Sequence, residues 1–166
     1  MSGAPRLMSE KKYNVQAVKD RLNAYRESER RIENQTEAIE RLRTKMEGVG
    51  AQEITDMPRA PSPSNDRLTD LVYQKQEMEE KLAADVAALR EERQFINSVL
   101  SQLKSADEQA VIQFRYLIGL NWYDVNDALY GAKADYLGKE DTYLRKAYHI
   151  HGQALLHMAA YIGDHG

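Results

Sequence analysis

The stretch that decides the fold is SADEQAVIQFRYLIGLNWYDVNDALYG, which occupies residues 105–131. It contains the signals for two helix starts. Ser105 and Glu108 have the spacing of a capping box, in which the serine hydroxyl accepts a backbone N–H and the glutamate reaches back to the cap. Asn121 begins a second, shorter helix in the same way, with Asp124 at the box position.

Glycines predict where these two helices end. Gly119 ends the first and Gly131 the second, since glycine is common just past a helix. A loop at residues 132–138 then leads to a last helix, from about Lys139 to Ile162. This order of helix, tight turn, short helix and longer helix is the layout of a helix-turn-helix domain. The residues expected to face inward in the first two helices are Ala110, Val111, Phe114, Leu117, Ile118, Trp122, Val125, Ala128 and Leu129.

Residues 1–104 have a different pattern. From about Ser9 to Glu47, apolar residues recur at alternating steps of three and four, which predicts a long amphipathic helix. A second such helix is expected from Asp66, which can cap it, to about Leu103. The two apolar stripes consist of Val15, Val18, Leu22, Tyr25, Ile32, Ile39, Leu42 and Met46, and of Leu68, Leu71, Met78, Leu82, Val86, Leu89, Ile96, Val99, Leu100 and Leu103.

The two long helices are separated by a segment rich in glycine and proline, which predicts a connector at about residues 48–65. Glu29 and Thr36 interrupt the first stripe, either as a solvated part of the seam or as polar residues that set its register. Because both stripes must be buried, we expect an antiparallel hairpin of coiled-coil type over residues 1–104. A homodimer through the same helices is the alternative.

Composition argues against several classes of function. The 166-residue chain has no Cys, and the spacing of its three histidines in the last helix does not pair them on one face, so we expect no metal and no cofactor. No catalytic motif or phosphate-binding loop is present, so we expect a protein that is not an enzyme and has no small-molecule substrate. We expect no membrane span and no signal peptide, and therefore a cytoplasmic location.

The C-terminal part resembles region 4 of bacterial sigma factors. The resemblance is carried by RYLIGLNWYDVNDALYG at residues 115–131 and YLRKAYHIHGQALLHMA at residues 143–159. The whole chain also resembles small phage and prophage proteins of Gram-positive bacteria, including late transcriptional regulators of the ArpU and RinA kind, to whose connector TDMPRAPSPSNDRLTDLV at residues 55–72 is similar.

This resemblance implies an all-α protein, with a sigma-region-4-like helix-turn-helix domain at residues 105–166 after the long hairpin. It also implies a phage-encoded transcriptional regulator in the bacterial host cell, which acts on promoter DNA, on host RNA polymerase or on both.

If the last helix enters a major groove, one of its faces supplies the contacts. Arg145 and Lys146 are then expected to contact guanine or phosphate, Gln153 adenine, and Thr142 a phosphate or a thymine methyl. The predicted DNA-binding residues are Lys139, Thr142, Arg145, Lys146, His149 and Gln153 of this helix, together with Asn121 and Trp122, which the resemblance places at the DNA backbone. The residues expected to be buried on the opposite face are Leu144, Ala147, Ile150 or His151, Ala154, Met158 and Ile162.

Two of these predictions have alternatives from the residues alone, namely capping for Asn121 and packing between the helices for Trp122. The charge of residues 105–166 also allows functions other than DNA binding. Residues 105–166 contain eight acidic and five basic residues, whereas DNA-binding domains are usually basic. The alternatives are a module that binds a host protein with little DNA contact, and a structural or packaging coiled-coil protein of a phage.

Overall fold

A computed structural model of the protein describes residues 13–52 and 63–165. Within these residues there is no strand, and the helices are α1 (Val15–Gln52), α2 (Pro63–Leu100), α3 (Ala106–Ile112), α4 (Trp122–Tyr130) and α5 (Glu140–His165). The α3 helix continues into a π-helical turn, Gln113–Leu117. The all-α fold class is therefore confirmed. None of the described helices is both long enough and apolar enough to cross a bilayer.

The chain forms two compact units. One is Glu27–Glu91, and the other combines residues 13–26 with residues 92–165. The long helices α1 and α2 therefore each contribute residues to both units. The second unit contains α3, α4 and α5, and with them every residue predicted from the sequence to bind DNA.

In the unit Glu27–Glu91, α1 and α2 pack together as an antiparallel pair, as the two apolar stripes predict. Gln35 Nε2 donates to Asp85 Oδ2 at 2.8 Å. Thr36 is exposed and donates its hydroxyl to the Ile32 carbonyl at 2.8 Å, which supports the interpretation of a solvated seam at this position. The apolar cluster of this unit consists of Leu42, Val49 and Leu71, with Met46, Leu68 and Met78 packed around it.

The α1 helix extends further than its glycines predict. Asn14 caps its start by accepting the Ala17 N–H at 2.9 Å. The helix then runs through Gly48 and ends at Gln52, so the interruption predicted at residue 48 is wrong. A glycine inside a helix costs about 1 kcal/mol relative to alanine. Burial of Val49, which is 8% exposed, offsets that cost by about 1.5 kcal/mol or more.

The α2 helix begins at Pro63 rather than at Asp66. Proline is well tolerated at the first helical position because the N–H that it lacks has no partner there in any case. Asp66 therefore lies in the first turn of α2 and does not cap it, where its negative charge suits the helix dipole. The helix ends at Leu100, three residues before the predicted end. The remainder of the predicted connector, residues 53–62, lies outside the described residues.

In the second unit, the first turns of α1 pack beside the last turns of α2. The Arg21 guanidinium forms a two-pronged ion pair with Glu92, with Nη2 at 3.0 Å from Oε2, and lies 3.7 Å above the Phe95 ring. Tyr13 donates its hydroxyl to Asp164 Oδ1 at 3.2 Å. The stripe residues buried here are Val18, Leu22, Tyr25, Ile96, Val99, Leu100 and Leu103.

Both predicted caps in the C-terminal part are present. The Ser105 hydroxyl accepts the Glu108 N–H at 3.3 Å, and Asn121 Oδ1 accepts the Asp124 N–H at 2.9 Å. The contact expected from the Glu108 side chain back to Ser105 is replaced by another, however. The Glu108 side chain is buried beneath α5, with its Oε1 atom 2.7 Å from Nδ1 of His157, so the carboxylate is used between helices and not within one.

Two residues predicted to be buried are exposed. Ile118 is 60% exposed, because its N–H bonds to the Gln113 carbonyl, five residues back, and this wider turn moves the next side chain off the apolar face. Ala128 is also exposed, since Asn126 and Tyr130 take the buried positions on α4 instead. The π-helical turn that continues α3 ends at Leu117, and Gly119, two residues later, has a φ of 85°, so the chain leaves the helix at the glycine as predicted.

A pair of glycine substitutions tests these local assignments. Gly119→Ala should lower the free energy of unfolding by roughly 1–2 kcal/mol, because its φ of 85° is strained for a residue with a Cβ atom. Gly152→Ala should instead raise it by about 0.8–1.0 kcal/mol, since an added Cβ in this helix meets no atom within 4 Å. Urea unfolding followed by circular dichroism measures both, and changes of the same sign would contradict the assignment.

Candidate nucleic-acid interface

The helices α3, α4 and α5 meet around one buried imidazole. His151 of α5 is 9% exposed, and its Nε2 atom lies 2.8 Å from the hydroxyl of Tyr116 in the π-helical turn. The ring of Trp122 from α4 meets the same imidazole edge-on, with ring centroids 4.9 Å apart. These contacts determine how α5 is rotated about its axis, and therefore which of its residues reach solvent.

Burial, and to a smaller extent the positive charges of Lys19 and Arg115, together lower the pKa of His151 from its ordinary 6.5 to about 4. The imidazole is therefore neutral at neutral pH. A neutral ring suits its position, because a charged group placed among packed aromatic rings loses most of its hydration.

Trp122 lies in the helix junction and is half-buried. Besides His151 it contacts Tyr148 edge-on at 4.8 Å, and the Arg115 guanidinium lies 5.1 Å above its ring. Arg115 also donates from Nη1 to the Leu120 carbonyl at 3.0 Å, which closes the turn between α3 and α4. The geometry favours packing as the role of Trp122, whereas Asn121 beside it is exposed and caps α4.

The segment between α4 and α5 is tied to both helices. Asn126 of α4 donates from Nδ2 to the Glu140 carbonyl at 3.0 Å and to the Tyr136 hydroxyl at 3.4 Å. The Tyr143 hydroxyl of α5 donates to Asp135 in the loop. These contacts have no signal in the sequence, because the paired residues are 8 to 14 positions apart and follow no helical spacing.

Three tyrosine rings pack at the same place. Tyr143 stacks on Tyr130 with centroids 4.9 Å apart and lies at 6.0 Å from Tyr136. Lys146 Nζ lies 5.4 Å from the centroid of the Tyr130 ring. A loop longer than that of a minimal helix-turn-helix is thus packed against both flanking helices.

All six residues predicted on the last helix are exposed, and they lie at or near one face. They are Lys139, Thr142, Arg145, Lys146, His149 and Gln153. Lys139 immediately precedes α5 and lies 3.5 Å from Asp135 Oδ2. Of the predicted alternatives on the opposite face, His151 is the buried one and Ile150 is half-buried. The buried residues of α5 are Ala147, His151, Ala154, Leu155, Met158 and Ala159.

Acidic groups border the start of this exposed face. The hydrogen bond from Tyr143 lowers the pKa of Asp135, and backbone hydrogen bonds, first its own and then that of Gly138, lower the pKa of Glu140. Both carboxylates are therefore ionised at neutral pH, and Asp141 lies beside them in the first turn of α5. They suit the positive end of the helix dipole but repel phosphate.

The far end of the same face borders a groove of about 500 Å³, whose lining includes Gln153, His157, Lys104 and Tyr161. The buried Glu108 carboxylate lies behind His157 in this groove. Among the residues that the structure describes, no three side chains of the metal-binding types cluster closely enough to hold an ion. Because Gln153 lines this groove, it lies at the edge of a concave surface, about two helical turns beyond Arg145.

Comparisons of the chain with protein-family models, with curated proteins and with solved structures give no match. The geometry of α3, α4 and α5 therefore carries the functional argument.

The depressed pKa of His151 predicts how stability depends on pH. Between about pH 6.5 and about pH 4 the unfolded chain binds a proton at this residue and the folded chain does not, so stability is full above this window and falls as the pH drops through it. His151→Gln, which cannot titrate, should lose less stability than the wild type between about pH 7 and about pH 4.5 in urea unfolding.

The control for this measurement is His149→Gln, since His149 is exposed on the same helix. This variant should show the pH dependence of the wild type. Equal losses of stability in the wild type and His151→Gln would rule out a buried neutral imidazole.

Proposed function

We propose that the C-terminal helices bind duplex DNA with α5 in the major groove, and that the protein is a phage-encoded transcriptional regulator of the sigma-like kind. The observation that carries this proposal is the exposed face of α5. It presents Thr142, Arg145, Lys146 and His149 to solvent over two turns, while the other side of the same turns is packed on α3 and α4. A helix with this division matches the second helix of a helix-turn-helix, which reads base edges near its N-terminal end.

Each side chain on this face has a role that its chemistry suits. Arg145 can donate two hydrogen bonds to guanine O6 and N7, and Lys146 can contact guanine or a phosphate. Thr142, one turn earlier, is placed for a phosphate. Gln153 suits adenine by its chemistry, but its place beside the groove puts it at the far edge of such a contact.

The start of α4 has a narrower role in this proposal. Asn121 is exposed beside the junction with α5 and remains a candidate for the DNA backbone. Trp122 supports the arrangement from inside, through its contacts with His151 and Tyr148. The residues proposed to touch DNA are therefore Lys139, Thr142, Arg145, Lys146, His149, Gln153 and Asn121.

The net negative charge of the protein limits the affinity that we expect for DNA. With net charge −3 and with carboxylates at the start of α5, few phosphates are neutralised, so affinity for unrelated DNA should be low. Specific binding then depends on a small number of cations. Arg145 and Lys146 are the two that face solvent within α5 itself.

The double substitution Arg145→Ala with Lys146→Ala tests the proposal. The probe is a duplex selected by the full-length chain from a randomised pool. Loss of one base contact and one phosphate contact should weaken binding by about 100-fold, and should reduce the slope of log affinity against log salt by roughly 1–2. Fluorescence anisotropy at several salt concentrations measures both quantities.

The matched control removes the same two charges elsewhere, in Arg31→Ala with Lys45→Ala, both of which are exposed in the unit Glu27–Glu91. This variant should bind the probe as the wild type does. If both double variants bind equally well, α5 is not the recognition helix. If the wild type selects no DNA, the proposed function is wrong.

A second candidate function is docking on a host protein, with RNA polymerase as the partner that the sigma-like pattern suggests. Two exposed apolar side chains favour it, namely Ile118 and Tyr123, which flank the turn between α3 and α4 and are 60% and 78% exposed. A partner that covered both side chains would remove this apolar surface from water, which stabilises a protein interface.

Docking is tested with purified RNA polymerase from a Gram-positive host. Ile118→Ser with Tyr123→Ser should abolish its binding, because the apolar contact area is lost, while Arg145→Ala with Lys146→Ala should leave that binding unchanged. Surface plasmon resonance with the tagged full-length chain separates the two variants. Wild-type protein that does not bind the polymerase would remove this candidate.

A further inference from the structure

Two arginines of the second unit lie close together without a carboxylate between them. Arg115 of the π-helical turn and Arg26 of α1 are both half-buried. Among the residues that the structure describes, neither guanidinium forms an ion pair with an acidic side chain. A cation that is partly removed from water usually has an anionic partner, so these two positive charges side by side are unfavourable for the fold by themselves.

The two guanidiniums are near enough to repel each other. Burial lowers the pKa of Arg115, and the positive charge of Arg26 lowers it as well. Burial raises the pKa of the Tyr116 hydroxyl, and the charges of Arg115 and Arg26 both oppose that rise. Arg26 therefore faces the π-helical turn from α1, and the two cations act on the same tyrosine.

Arg115 is held in a defined place at the junction of the helices. Its Cζ atom lies 5.1 Å above the Trp122 ring, and its Nη1 atom donates to the Leu120 carbonyl at 3.0 Å. The Tyr148 ring of α5 meets the Trp122 ring edge-on, with centroids 4.8 Å apart. Because a guanidinium has five N–H donors, those that do not meet Leu120 remain for a ligand.

The α1 helix adds a third cation beside this arginine pair. Lys19, Asn23 and Arg26 are four and three residues apart, so they share one face of α1. Lys19 is exposed, and its positive charge reaches the same His151 imidazole as that of Arg115. Positive charge therefore extends along α1 for about two turns next to the arginine pair.

The acidic side chains that are adjacent to these cations along α1 have other partners. Asp20 accepts a hydrogen bond from Gln16 Nε2 at 2.8 Å, and Glu27 lies 3.9 Å from Arg30. The groups that act on the π-helical turn and on the buried imidazole are cations and tyrosines, with no carboxylate of the described residues among them. The charge at this place is therefore positive, although the whole chain has a net charge of −3.

We propose that Arg26 and Arg115 bind a phosphate group, with Lys19 adding positive potential beside them. A guanidinium binds phosphate oxygens through parallel hydrogen bonds. One arginine can occupy both oxygens of a carboxylate, whereas a phosphate has further oxygens for the second arginine. The phosphate belongs either to the backbone of DNA that α5 binds or to a free phosphate compound, so the inference does not require the proposed function.

The first test uses inorganic phosphate as the probe and Trp122 as the reporter. Trp122 is the only tryptophan of the chain, and its ring lies beneath Arg115. Phosphate added to the full-length protein, with chloride exchanged to keep the ionic strength constant, should give a saturating change in tryptophan fluorescence. Arg26→Met, which keeps an apolar stem of similar length, should bind phosphate about tenfold more weakly because charge-assisted hydrogen bonds are lost.

The second test identifies the source of the phosphate. Its probe is a duplex that the full-length chain selects from a randomised pool. If the phosphate belongs to DNA, Arg26→Met should weaken duplex binding about tenfold and reduce the slope of log affinity against log salt by about 1. A loss of affinity for inorganic phosphate without a loss of affinity for the duplex identifies a free phosphate compound instead.

Arg31→Met is the matched control, because Arg31 is an exposed arginine of α1 in the unit Glu27–Glu91. It should behave as the wild type in both tests, and circular dichroism checks that both variants fold. Agreement between Arg26→Met and the wild type in both tests overturns the inference, as does an equal loss of affinity in Arg31→Met. A chain that selects no DNA contradicts the proposed function alone, and the phosphate titration then decides this inference.

Discussion

His151 is the point on which the arrangement of the C-terminal helices depends. Its imidazole is bonded to Tyr116 and packed edge-on against Trp122, so a single residue of α5 contacts both the π-helical turn and α4. Because burial lowers its pKa to about 4, the ring can remain in this apolar place without a counter-charge at neutral pH. Its position sets the rotation of α5, and this rotation brings Arg145 and Lys146 to the surface.

The loop before α5 supplies a second constraint. A minimal helix-turn-helix joins its helices by a short turn, whereas here residues 131–139 are packed through the tyrosine rings at 130, 136 and 143. The loop places Asp135 and two lysines at the entrance of the proposed recognition helix. The start of α5 therefore carries mixed charge, which limits binding to unrelated DNA and makes the few exposed cations decisive for the proposed interaction.

Local signals in the sequence predicted much of this fold. The caps at Ser105 and Asn121, the ends at Gly119 and near Tyr130, and the apolar stripes of α1 and α2 depend on residues a few positions apart, and all are present in the folded chain. The predictions from the sequence were wrong where tertiary packing or a change of helix type opposed the preference of the local residues. Helix α1 continues through Gly48 because Val49 is buried beyond it, and Ile118 is exposed because a π-helical turn breaks the regular spacing.

The exposed face of α5 was predicted residue by residue, since helical periodicity alone separates it from the apolar face. The sequence by itself therefore determined the helical class, the positions of the caps and which side chains share a face. Only the tertiary structure decided that Trp122 packs in the junction, that Glu108 meets His157, and that Tyr143 and Asp135 join α5 to the loop. The Glu108–His157 pair links residues 49 positions apart, and it forms because burial removes water from the Glu108 carboxylate, which must then find a partner within the fold.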